Sequence, residues 1–515
     1  MKRYAVLEAR LSGVLHPFLT MMNRISYPAK ALCVGLLLAQ TIATFHVYLS
    51  NLSVYQNLSH LGKAGYLVIP NQKSIHLLLE WGPAFWGGLF FSFTVGAGLS
   101  LLAIASVWVW VRLFRRRRNV LLLWLILWIV LLMLLNHHGF HWMSSLYFIL
   151  IPPVVFFATL RWIPPHPVQD GWLGRAIYPL PFLIVALLWT SQWDNRLFLD
   201  LRDHLLLSNP LGLTINNFYY RYTLYPAEAF KSLDQKTLKS CYLGNLKRKD
   251  LRAGLERELL RRDYLVIDDE NADLSLREEG EELVLQHRGR SLVQLPLKSF
   301  PRDFGAALRE FSERCDVFAF LRNFAFYSLL FAFPTTLYIL VYALLYLLSS
   351  LFLGTKPSVW MASAACLALG VTSFLFLFLG REAKVDLKDV AQALQSSRWQ
   401  TRMAAMRILD ERHLEAPDLE VIHRASRSPH IPERYWLARV LALSKDPETY
   451  SALLALLDDP SPNVVCMALF ALGQRRDSKA IRYILTWIGS SDHWYGQWYA
   501  YGALKALGWK QSRSQ

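Results

Sequence analysis

The sequence predicts a polytopic α-helical membrane protein that carries a small α+β soluble domain and a C-terminal α-solenoid. Three observations predict it. Seven uncharged apolar runs of roughly membrane-spanning length lie before residue 381. Residues 194–318 switch to mixed charge and short alternating runs. After Gly380, four helical stretches end in similar steps.

Composition supports a membrane class. The chain has 515 residues, 54% of them hydrophobic and only 18% charged, which is too apolar for a soluble protein of this size. The net charge of +16 is unevenly spread. Residues 1–193 carry 14 Lys+Arg against 3 Asp+Glu, residues 194–380 carry 22 against 21, and residues 381–515 carry 19 against 15. The excess sits in short loops of the most apolar third, the pattern of positive residues kept on the cytoplasmic face. A nucleic-acid surface would gather its charge on a soluble domain, so no nucleic-acid partner is expected.

Residues 1–27 read as a basic amphipathic lead with Lys2, Arg3, Arg10 and Arg24. The first apolar run begins near residue 28, late for a cleaved signal peptide, so it is expected to act as a signal anchor. The transmembrane domain, residues 28–193, is expected to hold about five helices: Ala31–Leu49, Pro83–Val111, Asn119–Leu135, Trp142–Leu160 and Ala176–Trp193. The last is short and contains Pro179 and Pro181. Arg112, Arg115, Arg116, Arg117 and Arg118 fill one loop and set the orientation, with contact to anionic membrane lipid as the alternative role. Arg161 and Arg175 fall on the same side, which places the N-terminus in the cytoplasm. The expected location is the bacterial inner (plasma) membrane, with lipids as surroundings.

"NHHGFHW" puts His137, His138 and His141 at a span end. His137 and His141 are at i, i+4 and could share a metal if helical, but Gly139 between them is expected to break the helix, leaving solvated loop histidines. No cofactor is implied. No acidic residue lies inside an expected span, which argues against a proton-coupled transporter. Asn51-Leu52-Ser53 and Asn57-Leu58-Ser59 fit a glycosylation pattern that also occurs by chance.

The domain at 194–318 begins with "NNFYYRYTLYP" (216–226), five aromatics suited to an interfacial belt. "DLRAGLERELLRRD" and "FGAALREFSER" read as amphipathic helices. "YLVIDD", "ADLSLRE", "EELVLQHRG" and "SLVQLPL" read as strands of a three- or four-stranded antiparallel sheet. Asp268, Asp269 and Glu270 cluster at a strand end, as a solvated turn or a cation site. Cys241 and Cys315 share this domain and would be a possible disulfide in an oxidising compartment.

Residues 319–380 read as an interfacial helix followed by a transmembrane hairpin closed by "GTKP". The hairpin places the domains before and after it on one side. If Ala176–Trp193 crosses, that side is extracytoplasmic, the favoured reading; if it does not, both domains are cytoplasmic.

In residues 381–515 the four similar endings place Leu409, Leu443, Leu472 and Leu507 at intervals of 34, 29 and 35 residues, as stacked helix pairs would. In the clearest unit, "DDPSPNVVCMALFALGQRRD" (458–477), Asp459-Pro460 caps the turn, Val464 and Val465 start the inner helix, and Ala471-Leu472-Gly473 closes it. "SALLALLDD" (451–459) supplies the preceding outer helix. This unit resembles the HEAT-like repeat of the bilin-lyase-type repeat proteins. The other copies match less well, and the second has Pro432 where the best has Asn463. The resemblance covers about a quarter of the chain and implies a solenoid of HEAT-like repeats acting as a protein-binding scaffold, with no catalytic residues carried over.

In the last repeat, Gly496, Ala500, Ala503, Leu504 and Leu507 form one stripe at about 100° per residue. Trp494, Tyr495, Trp498, Tyr501 and Trp509 lie around the opposite face. A terminal repeat normally turns a polar face to water, so this face is expected to dock on the chain itself, on lipid headgroups, or on a partner. Trp494, Trp498, Tyr501 and Trp509, with Arg475 and Arg476, are the expected partner-binding residues. The expected function is a membrane-anchored scaffold or assembly partner that does no catalysis of its own. The alternatives are a transport or lipid-handling component regulated by its soluble domains, and a metal or haem membrane enzyme.

Overall fold

The computed structural model describes residues 26–164, 179–193, 196–246, 248–380, 385–415, 417–444 and 446–513. The basic lead, Arg175, the start of the Ala176–Trp193 run, Arg381 and Lys384 lie outside them. The chain is mostly helical and divides into two compact units: Met1–Thr44 with Gly88–Asn195 and Val317–Leu375, and Phe45–Gly87 with Arg196–Asp316 and Phe376–Gln515.

The first unit is built from apolar helices. Six helices among the described residues are long and apolar enough to cross a membrane: α1 Tyr27–Lys63, α2 Trp81–Leu113, α3 Arg118–Leu135, α4 Trp142–Trp162, α11 Ala319–Ser350 and α12 Thr355–Leu375, the last continuing helically to Gly380. The seventh run appears as a shorter apolar helix, α5 Pro179–Thr190. α2 is wound as π-helix at Ser92–Gly96 and Val109–Leu113. At the first of these turns Ser92 Oγ donates to Gln40 Oε1 of α1 at 2.6 Å, so a polar pair is satisfied within apolar surroundings. α3 buries only 6% of its apolar window; most of its Leu and Ile side chains are exposed, Leu135 being buried. α11 is one uninterrupted helix through Pro334, so the expected interfacial helix is simply its first turns.

The histidine loop sits in this unit. His137 and His138 are exposed. His141 caps α4, its Nδ1 accepting from Ser144 N at 3.3 Å, and its ring meets Phe318. Gly139, at φ +135°, breaks the helix. Among the described residues no group of three His, Cys, Asp or Glu converges as a metal site would. Arg115, Arg116, Arg117 and Arg118 are exposed, while Arg112 donates to Pro164 O at 2.8 Å.

The second unit joins parts that the sequence separates: the end of α1, the 64–80 loop, the α+β region and the solenoid. α6 Leu197–Asp200, α7 Pro210–Tyr222 and α8 Leu224–Phe230 lead into a five-stranded sheet ordered β2-β1-β3-β4-β5. The strands are β1 Lys239–Asn245, β2 Tyr264–Val266, β3 Leu274–Glu279, β4 Glu282–His287 and β5 Arg290–Pro296. β1 runs parallel to both β2 and β3, while β3, β4 and β5 form an antiparallel meander. The sheet is therefore mixed and one strand wider than the sequence suggested. The extra strand is β1, whose "KSCYLGN" lacks an alternating apolar pattern. Helices α9 Lys249–Leu260 and α10 Phe304–Arg314 cover a core of Leu255, Leu259, Leu274, Leu276, Leu283, Leu285, Phe304 and Phe311. Arg288 and Gly289, both at positive φ, make the two-residue turn between β4 and β5.

Cys241 and Cys315 belong to this core and are free thiols. Burial pushes Cys315 up to about 12 and Cys241 well above its usual value; both pack in the core as small apolar side chains, and the possible disulfide between them is not formed. Asp273 pins the start of the sheet. Its carboxylate accepts from Lys236 at 2.9 Å, Ser240 N at 3.1 Å and Asn57 of α1 at 3.1 Å. Asn51 is fully buried and Asn57 is engaged here, so neither is placed as a glycan acceptor. Asp269 pairs with His60 at 2.9 Å and closes its own turn on Asn271 N.

Among the described residues the solenoid has four helix pairs. The outer helices are α13 Val390–Leu394, α15 Leu419–Ser426, α17 Pro447–Ala455 and α19 Ala480–Ser490. The inner helices are α14 Trp399–Arg412, α16 Ile431–Leu441, α18 Pro462–Gln474 and α20 Trp494–Ala506. Each inner helix ends within three residues of one of the spaced leucines. Neighbouring repeats are tied by buried ion pairs: Arg402 is bidentate to Glu433 at 2.5 and 2.8 Å, and Arg434 to Asp459 at 2.6 and 3.0 Å. Where α18 meets α20, a Cβ on Gly473 would lie 2.8 Å from Ala503 Cα, so only glycine permits that approach.

Candidate functional site: the inner face of the solenoid

The inner helices of a solenoid form the surface on which such proteins usually hold a ligand. Here that surface is filled, and the occupant is the chain's own segment 196–230. It runs along all four inner helices in repeat order.

At the first repeat the contact is ionic. Arg407 of α14 is 5% exposed and reaches Asp200 Oδ1 at 3.2 Å and Glu411 Oε1 at 3.3 Å. Glu411 also meets Arg196 at 3.1 Å. At the second repeat the buried Trp436 donates from Nε1 to Asp203 Oδ2 at 2.9 Å. Arg202 holds the other Asp203 oxygen at 2.7 Å and lies 3.7 Å over the Tyr435 ring. A buried indole needs an acceptor, and Asp203 supplies it. At the third repeat two buried amides pair head to head. Asn216 Nδ2 donates to Asn463 Oδ1 at 2.7 Å, and Asn463 Nδ2 donates back to Asn216 Oδ1 at 3.3 Å and to Tyr220 OH at 3.1 Å.

The fourth repeat takes a second occupant. Tyr495 packs on Tyr220 with centroids 4.7 Å apart, and Trp494 packs edge-on against Tyr225 at 5.1 Å. Tyr501 OH and Lys505 Nζ both donate to Asp263 Oδ1, at 2.7 and 2.8 Å. The 64–80 loop then closes over the end. Asn71 N donates to Gln497 Oε1 at 2.8 Å, and Asn71 Nδ2 donates to Ile488 O and Ser491 O at 2.6 and 2.9 Å. Ser74 Oγ donates to Asp492 O at 2.7 Å. Gln511 exchanges two bonds with the Leu67 backbone, and Arg513 reaches Tyr66 OH at 3.0 Å. Arg513 also donates to Val266 O of edge strand β2 at 3.1 Å. At the opposite edge Arg314 donates to Leu292 O at 2.6 Å, so a side-chain donor meets each outer strand.

The expected partner-binding residues fall within this arrangement. Trp494 and Tyr501 are buried. Trp509 meets Tyr501, and Trp498 lies between Tyr495, Tyr499 and the Lys231 ammonium. The aromatic face therefore docks on the chain itself. Arg475 braces the second and third repeats through Leu441 O, Thr449 Oγ1 and Asp446 O. Arg476 is exposed, at φ +56°. Sequence reasoning missed Asp200, Asp203, Asn216, Asn71, Asp263 and Trp436. Only Asn216, a polar break in an aromatic run, left a local trace.

The family model for HEAT repeats matches residues 419–505. No curated protein and no solved structure matches the chain.

Proposed function

We propose that the chain is a polytopic membrane protein whose HEAT-repeat solenoid is a scaffold built into the body of the protein, offering its outer helices to another protein and performing no catalysis itself. The HEAT repeats support the interaction role. The single observation that carries the reading is that the inner face is consumed internally, which leaves the outer row free. On that row Tyr483 is 52% exposed beside the exposed Arg482 on α19.

The same contacts support an orientation. Asn71 lies in the loop between α1 and α2, and its bonds to the last repeat support one side for that loop and the solenoid. Along the sequence the exposed arginines follow the apolar helix α2, which supports the other side for them. With those arginines cytoplasmic, the solenoid and the α+β region are extracytoplasmic. The chain between α4 and residue 196 must then cross as well. α5 is the apolar helix available, although its 12 residues rise only about 18 Å of the roughly 30 Å hydrocarbon.

Isolation in mild detergent followed by mass spectrometry tests the scaffold role. A stoichiometric partner retained by the wild type and lost with Arg482→Glu/Tyr483→Asp is the expected result. No partner from native membranes, or one indifferent to that pair, counts against it. Reporter fusions at the 64–80 loop and at residue 515 should give the same extracytoplasmic readout.

A further inference from the structure

α7 is amphipathic in an inverted sense. One face of α7 meets the solenoid: Asn216 is buried, and Asn463 bonds both Asn216 and Tyr220, while Thr214, Asn217 and Arg221 are exposed along one flank. Its large apolar residues face away. Leu211 is 72% exposed, Ile215 52% and Phe218 36%. With the half-buried Tyr222 they form one stripe at i, i+4, i+7 and i+11. A stripe of this kind on a helix fixed by its other face needs an apolar medium.

The neighbouring residues indicate which medium. The stripe continues onto the first turns of α2. Trp86 packs against Phe218 at 5.8 Å and Tyr222 at 6.3 Å. A Cβ on Gly87 would lie 2.8 Å from Pro226 Cδ and 3.2 Å from Tyr222 O, so the two chain segments are in close contact. Trp81, Phe85 and Trp86 are themselves 42–48% exposed. They open a helix apolar enough to span a bilayer. Trp and Tyr at that position mark the membrane–water boundary.

We infer that α7 lies in the surface of the bilayer leaflet on the solenoid's side, with Leu211, Ile215, Phe218 and Tyr222 among the lipid chains and Asn216 and Tyr220 holding the third repeat. This rests on the membrane reading above and adds a function to it: the inner-face occupant is also a lipid contact, so the state of the leaflet bears directly on the solenoid.

Spin labels on the full chain in phosphatidylcholine/phosphatidylglycerol nanodiscs test this. Ile215→Cys is compared with Leu127→Cys in α3 and Tyr483→Cys on α19, and wild-type protein carried through the same labelling supplies the background. The expected result is that the label at 215 is several-fold more accessible to oxygen, relative to a water-soluble nickel complex, than the label at 483. A label at 215 as open to nickel as that at 483 overturns the inference. A label shielded from both reagents also overturns it, pointing to a protein partner or a second copy on this face. If the label at 127 reads as aqueous too, the membrane reading itself has failed.

Discussion

The two ends of the solenoid hold the same internal segment by different physics. At the first repeat, Arg407, Asp200, Glu411 and Arg196 make an ionic network whose outer pair is half exposed. At the last, Trp494, Tyr495 and Tyr501 bury aromatic surface, and Asn71 satisfies a buried loop with three direct bonds. The exposed Arg196–Glu411 pair contributes little and is screened by salt, the buried Arg407–Asp200 pair less so, whereas aromatic burial is not screened at all. The last repeat is therefore the anchored end and the first the yielding one.

The largest expected effect comes from removing the anchor. Trp494→Ala should cost about 3–5 kcal/mol, as large-to-small changes of buried aromatics do. Hydrogen exchange should show the loss concentrated in α20, the 64–80 loop and α8. Loss centred on α14 instead would break the comparison.

A smaller effect depends on pH. His493 caps α20, its Nδ1 accepting from Gly496 N at 3.1 Å. Burial holds its pKa below the ordinary value, with Asp492 opposing and Arg221 reinforcing the shift. A group depressed in the folded state contributes stability that is present above its unfolded pKa, about 6.5, and lost as pH falls through the folded one. Thermal stability should therefore fall between pH 7 and 5. His493→Asn, which keeps an acceptor that does not titrate, should flatten that fall. An unchanged slope would assign the acid sensitivity elsewhere.

The smallest effect belongs to the yielding end. Arg196→Ala should cost below about 1 kcal/mol. In wild type, raising salt from 0.1 to 1 M should speed exchange in α14 while leaving α20 unchanged. Equal responses at both ends would remove the distinction.

What could be read from the sequence follows the range of each signal. The four inner helices were legible because their leucines recur, and the long apolar helices because a run of that length has few other uses. α9 and α10 were legible from their 3.6-residue period. β1 was not, since a strand paired in parallel on both sides is recognised by continuous apolar residues, and Lys239, Ser240, Gly244 and Asn245 interrupt it. The aromatic crowding at 494–509 was visible, but its target was not. Asp263, Asn71 and Tyr225 are separated from it by hundreds of residues, and nothing local marks an Asn in a loop as the bond partner of a distant backbone.

That separation has a temporal side. The bond between Asn71 and Gln497 spans 426 residues, and at about 5–20 residues per second the ribosome needs roughly 20–85 s to make the second partner after the first. For that interval the loop after α1 waits with its amide unmet, and segment 196–230 waits with its solenoid-facing side bare. The last repeat is thus the latch on the loop after α1. Nascent chains that stop before residue 488 leave Asn71 without the partners it has in the folded protein.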